Sequence, residues 1–180
     1  MLFKKVNLED FYRIRQFYWD LIDEMSDQND KIGWKKGIYP TDSFLQESLD
    51  RGELFVLEEE GQLCASVILN SVCNEGYAGV PWNIECDVDE IFVPHALAVS
   101  PSGQGKGIGR YFMGEILKLA KAEKKKAVRL DILGTNTAAE RLYKGCGFHF
   151  VQAKDMFYED TGWTEYKMYE RVLQGIFDIK

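Results

Sequence analysis

The sequence has few histidines, no paired cysteine motif and no excess of positive charge. Its two histidines and four cysteines, with no C-x-x-C pair, argue against a zinc site, so we expect no bound metal. The cysteines are interpreted as free thiols of a reducing compartment. Lysine and arginine number 22 against 29 for aspartate and glutamate, which gives a net charge of −7. Charge does not draw such a protein to nucleic acid, so we expect no nucleic-acid partner.

Long apolar segments and linkers are missing as well. No run of about 18 apolar residues occurs, and the first residues lack a signal-peptide pattern, so we expect no membrane association and a cytoplasmic location. Only 4 prolines are present, and no stretch rich in proline, serine and glycine divides the chain. With 46% apolar residues in 180, the composition suits one sizeable core. We therefore predict a single domain over residues 1–180.

Hydrophobic periodicity predicts that strands and helices are mixed along the chain. Apolar residues at helical spacing, such as Ile14, Leu21 and Ile22, indicate a long helix near the start. Strands are predicted at 3–7, 53–59, 62–70, 91–99, 127–133, 148–153 and 165–171, helices at 8–25, 42–50, 107–124 and 136–144, and a loop at 71–88. This order predicts an α/β or α+β fold, with helices on both faces of a sheet.

The turn after the strand at 91–99 is rich in glycine, with four glycines between Gly103 and Gly109. Glycine allows positive φ angles and a close approach of ligand to backbone. The start of the next helix offers unpaired N–H groups and the positive end of the helix dipole, and Lys106 and Arg110 add full charges. These features predict a site for a phosphate or pyrophosphate. The alternative is a tight strand-to-helix connection in which the glycines serve packing alone.

The spacing inside this turn narrows the choice of ligand. The dinucleotide pattern G-x-G-x-x-G fails in both registers, and no glycine precedes the Lys-Ser or Lys-Thr of a P-loop. The spacing present is Gln104-x-x-Gly107-x-Gly109. It resembles the pyrophosphate loop, Q/R-x-x-G-x-G/A, of the GCN5-related N-acetyltransferase (GNAT) superfamily.

A second GNAT-like motif follows further along the chain. It has the pattern N-x-x-A-x-x-L-Y-x-x-x-G-F, which the sequence matches at Asn136, Ala139, Leu142, Tyr143, Gly147 and Phe148. Two motifs in the right order support the resemblance over residues 91–151 more strongly than either alone. Over residues 1–90 only the order of elements agrees with the superfamily.

The resemblance implies a fold, an acyl donor and a set of binding residues. The implied fold is a mixed, mostly antiparallel sheet with a splayed central parallel pair and helices on both faces. Acetyl-CoA would lie in the wedge, with its pyrophosphate on the amides of the turn and the Tyr143 hydroxyl near the thioester sulfur. The cofactor-binding residues implied are Leu97, Ala98, Val99, Gln104, Gly105, Lys106, Gly107, Ile108, Gly109, Arg110, Asn136, Ala139 and Tyr143. A tyrosine that merely packs on the sheet is the alternative for Tyr143.

Two residues are candidates for the general base. A base is needed because an amine with a pKa of about 10 is protonated at neutral pH. His95 shares a strand face with Leu97, and the segment His95–Val99 is similar to the arylalkylamine N-acetyltransferases, where a strand histidine helps to relay the amine proton. Glu90 is the other candidate. A structural histidine and an exposed loop carboxylate are the alternative interpretations, and His149 is taken as structural.

The acceptor is expected to be a small primary amine, acetylated directly in a ternary complex with acetyl-CoA. Aromatic residues and carboxylates in the segments that form the superfamily's acceptor pocket suit an organic cation. They are Trp34, Tyr39, Trp82, Tyr158 and Trp163, with Glu85, Asp87, Asp89 and Glu90. Core aromatics and a solvated acidic loop explain them equally well. The alternative functions are a non-catalytic acetyl-CoA sensor and acetylation of a protein N-terminus or lysine, and a homodimer is left open.

Overall fold

The computed structural model describes residues 1–25 and 33–173. Its strands are β1 (Leu2–Lys5), β2 (Leu54–Glu59), β3 (Gln62–Asn70), β4 (Ile91–Val99), β5 (Ala127–Leu133), β6 (His149–Tyr158) and β7 (Gly162–Val172). They form one sheet in the order β1-β2-β3-β4-β5-β7-β6. Neighbouring strands are antiparallel except β4 and β5, which are parallel. The predicted mixed, mostly antiparallel sheet is confirmed.

Four α-helices are found in the described part of the chain. They are α1 (Phe11–Glu24), α2 (Asp42–Asp50), α3 (Ile108–Ala122) and α4 (Thr137–Gly145). Side-chain oxygens of Thr41 and Asn136 cap the starts of α2 and α4, where they accept hydrogen bonds from the N–H groups of Phe44 and Ala139, each at 3.0 Å. These caps satisfy donors that the first helical turn leaves unpaired. The long first helix was predicted too early, because residues 8–10 form a 3₁₀ turn.

Helices cover both faces of the sheet because consecutive apolar residues of its strands point to opposite sides. In β2, Leu54 and Val56 belong to the apolar layer under α1 and α2, whereas Phe55 and Leu57 belong to the layer under α3 and α4. All four side chains are at most 8% exposed. Burial of each contributes roughly 1.5–3 kcal/mol, so these two layers hold the helices in place.

The connection between β3 and β4 covers the rest of the face on which α1 and α2 lie. Tyr77 packs with Met156 of β6 in a third apolar cluster. Below it, Arg129 and Glu170 form a buried ion pair at 2.8 Å, and Arg129 also donates to the Ile84 carbonyl at 2.7 Å. The segment predicted as a loop is therefore fixed to the sheet by apolar packing and a buried charge pair.

The parallel pair is joined only where its two strands begin. Ile91 and Phe92 of β4 pair with Ala127 and Val128 of β5, and the strands then diverge. Main-chain groups beyond this point on β4 lose their partner on one side. The splayed central pair that the GNAT resemblance implies is therefore confirmed.

A bulge in β4 accompanies this divergence. Ala96 has a φ of 48°, and the pairing of β4 with β3 shifts register at the same place. Bulges of this kind bend the strand that carries them. The buried Tyr18 of α1 holds the bulge, since its hydroxyl donates to the Ala96 carbonyl at 2.8 Å and lies 3.1 Å from Ser66 Oγ. The first helix thus fixes the shape of the strand that opens the wedge.

The last hairpin is longer than predicted. The periodicity gave strands at 148–153 and 165–171, but β6 continues to Tyr158 and β7 starts at Gly162. β6 lies at the edge of the sheet, where polar residues such as Lys154 and Asp155 alternate with apolar ones and weaken the apolar pattern. None of the helices in the described ranges is long and apolar enough to cross a membrane.

Candidate active site

The wedge between β4 and β5 forms a cavity of about 590 Å³. Its walls come from the second half of β4, the glycine turn, the starts of α3 and α4, the end of β5 and the β6–β7 hairpin. Most of the predicted cofactor-binding residues line it, namely Leu97, Ala98, Val99, Gln104, Gly105, Gly107, Gly109, Arg110, Asn136, Ala139 and Tyr143. Lys106 and Ile108 belong to the same turn but are not among the lining residues.

The cavity has two ends, which lie toward opposite faces of the sheet. We name the part lined by Gly105, Gly107 and Gly109, next to α3 and α4, the glycine end. We name the part lined by Trp34, Tyr39, Asp131, Tyr158, Asp160 and Tyr166 the tyrosine end. Trp34 and Tyr39 pack with the layer under α1 and α2, which places this end across the sheet from α3.

The glycine end has the geometry of an anion site. Gly107 is the N-cap of α3 with a φ of +83°, a conformation that strains any residue with a Cβ. No side chain in the described part of the chain caps α3, so the N–H groups of its first turn are available to a ligand. Where a Cβ would stand on Gly105 or Gly107, no described atom lies within 4 Å. The turn therefore offers backbone donors, a helix dipole and open space together.

Gly109 serves a different need, which is close packing. A Cβ at this position would lie 3.3 Å from Leu142 of α4 and 3.5 Å from Val99 of β4. The glycine lets α3 approach both elements, and it keeps the start of α3 beside the open edge of β4. Gly107 is thus required by its backbone conformation, and Gly109 by close packing.

The open edge of β4 presents main-chain groups to the cavity. The Ser100 N–H donates to the Cys64 carbonyl of the β3 side at 2.9 Å. Hydrogen-bonded pairs alternate in antiparallel strands, so Ala98 also turns its main-chain groups toward β3, whereas Leu97 and Val99 turn theirs toward the gap. Consistent with this, the Val99 carbonyl accepts a hydrogen bond from Gln104 at 3.4 Å. Leu97 and Val99 are therefore placed to hydrogen-bond an extended ligand.

Helix α4 brings its first turn and Tyr143 to the cavity. The Oδ1 atom of Asn136 is occupied by the N-cap bond to Ala139, which leaves its amide nitrogen as a donor. Tyr143 is 6% exposed and packs edge-on against Phe148 with ring centres 5.5 Å apart. Burial, and then the charge of Asp131, raise the pKa of the Tyr143 hydroxyl well above its usual value. The hydroxyl keeps its proton at neutral pH, and no side chain in the described ranges hydrogen-bonds it.

His95 lies on β4 and lines the cavity. Its Nε2 is 2.9 Å from Asn70 Oδ1, which also accepts the Val72 N–H at 2.9 Å, while Asn70 Nδ2 donates to Glu53 at 3.1 Å. Because Asn70 Oδ1 is an acceptor, His95 Nε2 must be the donor, which leaves Nδ1 without a proton. Burial lowers the pKa of His95 to about 4, so the ring is neutral at neutral pH.

Glu90 lies away from the cavity. It ends a 3₁₀ turn before β4, and its carboxylate forms an ion pair with Lys126 at 2.7 Å. The hydrogen bond from Lys126 lowers the pKa of Glu90. The structure therefore brings His95 and Tyr143 to one cavity and does not bring Glu90 there.

Asp131 is a functional candidate that the sequence patterns missed. It lies on β5, on the sheet face opposite to Leu130 and Ile132, and lines the tyrosine end. The Tyr77 hydroxyl donates to its Oδ1 at 2.7 Å, and the Tyr158 hydroxyl lies 3.1 Å from Oδ1 and 3.0 Å from Oδ2. Two charged residues, Arg129 and Asp131, at alternate positions of the strand Ala127–Leu133 were the signal available in the sequence.

Asp160 and two further tyrosines complete the tyrosine end. Asp160 is 8% exposed and lines the cavity, and burial raises its pKa. Tyr166 packs against Tyr158 with ring centres 4.8 Å apart and ring planes tilted by 52°. Burial raises the pKa of the Tyr39 hydroxyl well above its usual value, and the charges of Asp131 and Asp160 add to this, so both carboxylates act on one tyrosine.

The aromatic and acidic residues predicted for the acceptor pocket divide into two groups. Trp34, Tyr39 and Tyr158 do line the tyrosine end. Trp82 instead lies over the Arg129 guanidinium at 4.6 Å, and Trp163 is 75% exposed on the hairpin. The acidic loop lies outside the cavity as well, with Glu85, Asp87, Asp89 and Glu90 all absent from its lining.

Comparison with known proteins agrees with this geometry. The family model described as "Acetyltransferase (GNAT) domain" matches residues 50–150. The chain is 34% identical over 93 residues to N-alpha-acetyltransferase RimI of Mycobacterium tuberculosis. These 93 residues cover 52% of this chain and 56% of that protein. It also matches an uncharacterized Mycobacterium leprae protein, ML0378, over 25% of that protein's length. The chain thus spans about half or less of these curated relatives.

Solved structures share the fold over nearly the whole chain. The ribosomal-protein-alanine N-acetyltransferase of Brucella melitensis has a TM-score of 0.71 at 17% identity, with 96% of this chain and 100% of that one covered. The yncA protein of Salmonella typhimurium, solved with its cofactor acetyl-CoA, has a TM-score of 0.68 at 16% identity, with 100% and 98% covered. Together with the family match over more than half of the sequence, the splayed sheet and the glycine turn, this places the chain in the GNAT family of N-acetyltransferases.

Proposed function

We propose that this protein transfers an acetyl group from acetyl-CoA directly to a small primary amine. The observation that supports this most strongly is that one cavity joins an anion site at its glycine end to carboxylates and aromatic rings at its tyrosine end. The first end suits the pyrophosphate of coenzyme A, and the second suits an organic cation. A cavity that held only the acyl donor would have no need of the second end.

Acetyl-CoA fits the residues of the glycine end. The amides of Gln104–Arg110 would hold the pyrophosphate, the main chain of Leu97 and Val99 would hydrogen-bond the pantetheine arm, and the Asn136 amide nitrogen would donate to it. The open space beside Gly105 and Gly107 is what a close phosphate requires. When bound, acetyl-CoA supplies an activated acetyl group as a thioester.

His95 and Tyr143 are proposed as the base and the acid. His95 is neutral at neutral pH, because burial lowers its pKa to about 4, and Asn70 holds its Nε2 as the donor. Its Nδ1, which carries no proton in this tautomer, would take the amine proton, directly or through water. Tyr143 keeps its proton and can donate it to the leaving sulfur. Glu90 stays the alternative base, although its pairing with Lys126 outside the cavity favours His95.

Acetylation of a protein N-terminus is a second candidate function. The RimI relative, at 34% identity, is named as an N-alpha-acetyltransferase. An N-terminal ammonium group has the same charge as a small amine, so the tyrosine end could accept either. The small amine is supported by the burial of the carboxylates at this end, where Asp160 is 8% exposed.

A free-thiol release assay with acetyl-CoA tests these functions together. The acceptors are 2-phenylethylamine, spermidine, an aminoglycoside, a lysine peptide and a peptide that begins with alanine. We expect turnover with at least one of the first three amines. Turnover with the alanine or lysine peptide alone would favour a protein acceptor, and CoA binding without turnover would favour a sensor.

A further inference from the structure

The tyrosine end contains a carboxylate that has no cationic partner among residues 1–25 and 33–173. Two carboxylates lie on adjacent central strands, and their surroundings differ. Glu170 of β7 is fully buried and paired with Arg129 at 2.8 Å. Asp131 of β5 has no ion pair with any lysine, arginine or histidine in the described ranges; it accepts the hydroxyls of Tyr77 and Tyr158 instead. Burial raises the pKa of Asp131, and the hydrogen bonds from Tyr77 and Tyr158 oppose this rise. The carboxyl group is therefore hydrogen-bonded but has no cationic partner in the described ranges, and an ammonium group bound beside it would favour its ionised form.

Asp131 lies in the part of the cavity where the reaction is expected to take place. Ala127 pairs with Ile91 and Val128 with Phe92 before the strands diverge, and the same offset continued along both strands would bring Asp131 level with His95 across the gap. Both residues line the cavity that opens where the strands diverge. A group bound between them would lie across the open edge of β4, where the acetyl group is expected.

The surrounding rings suit a cation rather than an anion. Tyr39, Tyr158 and Tyr166 line this end, and their faces carry the negative side of the ring quadrupole. Asp160 adds a second carboxylate in the same part of the cavity. Tyr143 is 6% exposed, and its hydroxyl, which no side chain in the described ranges hydrogen-bonds, marks the side where the donor's thioester is expected.

We propose that Asp131, held by Tyr77 and Tyr158, binds the ammonium group of the acceptor and sets the preference of this site for cationic amines. The proposal rests on the proposed function for the identity of the reaction, but it concerns a separate property, which is recognition of charge. Tyr77 acts as a positioning residue, since it holds Asp131 and does not line the cavity. Removal of the ammonium partner from a buried charge pair is costly, so the preference should be large.

The test measures binding separately from turnover. Calorimetry on the full chain saturated with CoA compares 2-phenylethylammonium and spermidine with the uncharged 2-phenylethanol. We expect the wild type to prefer the ammonium ion and Asp131→Asn to bind it about 30-fold or more weakly, as expected for loss of one partner of a buried charge pair. Binding of 2-phenylethanol should change little. Asp155→Asn, an exposed carboxylate of β6, is the matched control and should behave as the wild type.

Tyr77→Phe is a second variant that tests the proposal even if Asp131→Asn does not fold. It removes one hydroxyl from Asp131 without changing the cavity wall, so it should weaken ammonium binding by a smaller factor and leave CoA affinity unchanged. Equal ammonium affinity in wild type and Asp131→Asn, a loss of ammonium and alcohol binding together, or no ammonium binding by the wild type would overturn the proposal. Asp131-dependent binding without thiol release would instead reject the proposed function and leave the role of Asp131 intact.

Discussion

The two ends of the cavity are built in different ways. The glycine end is one continuous segment, Gln104–Arg110, that presents main-chain groups, and a second segment, Asn136–Tyr143, supports it. The tyrosine end is assembled from side chains of residues far apart in sequence, among them Tyr39, Asp131 and Tyr158. Main-chain recognition needs glycines at fixed spacing, whereas side-chain recognition needs only that suitable groups meet in the fold. The first end therefore leaves a motif in the sequence and the second does not.

The largest effect should come from placing a side chain at the glycine end. In Gly107→Glu, a Cβ is forced on a residue with a φ of +83°, and a negative charge enters the anion site. We expect CoA affinity to fall more than about 100-fold, because charge repulsion and lost backbone contacts act together. Calorimetric titration with CoA measures this.

Gly114→Glu is the matched control, since Gly114 lies within α3 with open space around it and outside the cavity. It should bind CoA as the wild type does. Wild-type affinity in Gly107→Glu would show that the turn does not bind the pyrophosphate.

The core of the fold could be predicted because local patterns and the final structure agree there. In β5, apolar Val128, Leu130 and Ile132 alternate with charged residues and fill the layer under α3, and this apolar side predicts that the strand is packed against a helix. The hairpin was predicted too short, because β6 is an edge strand that presents Lys154 and Asp155 among its apolar residues. Edge strands are only partly buried, so their alternation of apolar and polar residues is a weaker indication of where the strand begins and ends.

The residues of the candidate site also include some that could be predicted from the sequence and some that could not. Gln104, Gly107 and Tyr143 stand at motif positions, and all three line the cavity. Asp131 could not be assigned, because only the folded sheet brings it to the same cavity as His95, and the sequence does not reveal how β5 aligns with β4. Trp82 and Trp163 show the opposite error, since both lie in segments that form the superfamily's acceptor pocket and were expected to bind an organic cation, while these rings lie elsewhere.

A smaller effect is expected at Tyr143, which lies between the two ends. Tyr143→Phe removes a hydroxyl that keeps its proton, because burial raises its pKa well above the usual value. We expect kcat to fall about 30-fold or more, toward the lower range of general acid catalysis, with little change in the affinity for CoA. Steady-state thiol release with the best amine measures kcat, and calorimetry measures the affinity.

Tyr111→Phe provides the comparison, as Tyr111 is exposed on α3 and does not line the cavity. Its kcat should match that of the wild type. A kcat for Tyr143→Phe equal to that of Tyr111→Phe would remove the acid role and leave Tyr143 as a packing residue.

The last prediction concerns His95, and its effect appears in stability rather than in binding or turnover. Burial lowers its pKa from 6.5 to about 4, and the backbone of Val72 and the charge of Glu53 offset part of this. Between these pH values the unfolded chain binds a proton that the folded chain does not, so the free energy of unfolding falls as the pH falls. The loss in the free energy of unfolding from this group is about 3 kcal/mol at most below pH 4, and none arises above pH 6.5.

Urea unfolding at several pH values should therefore show that stability declines less steeply toward acid pH in His95→Gln than in the wild type. His149→Gln, which removes the exposed histidine of β6, separates this effect from the loss of any histidine. If the wild type and His95→Gln lose stability equally between pH 6.5 and 4, His95 is not buried as a neutral ring, and its assignment as the base at the junction of the two ends loses its physical ground.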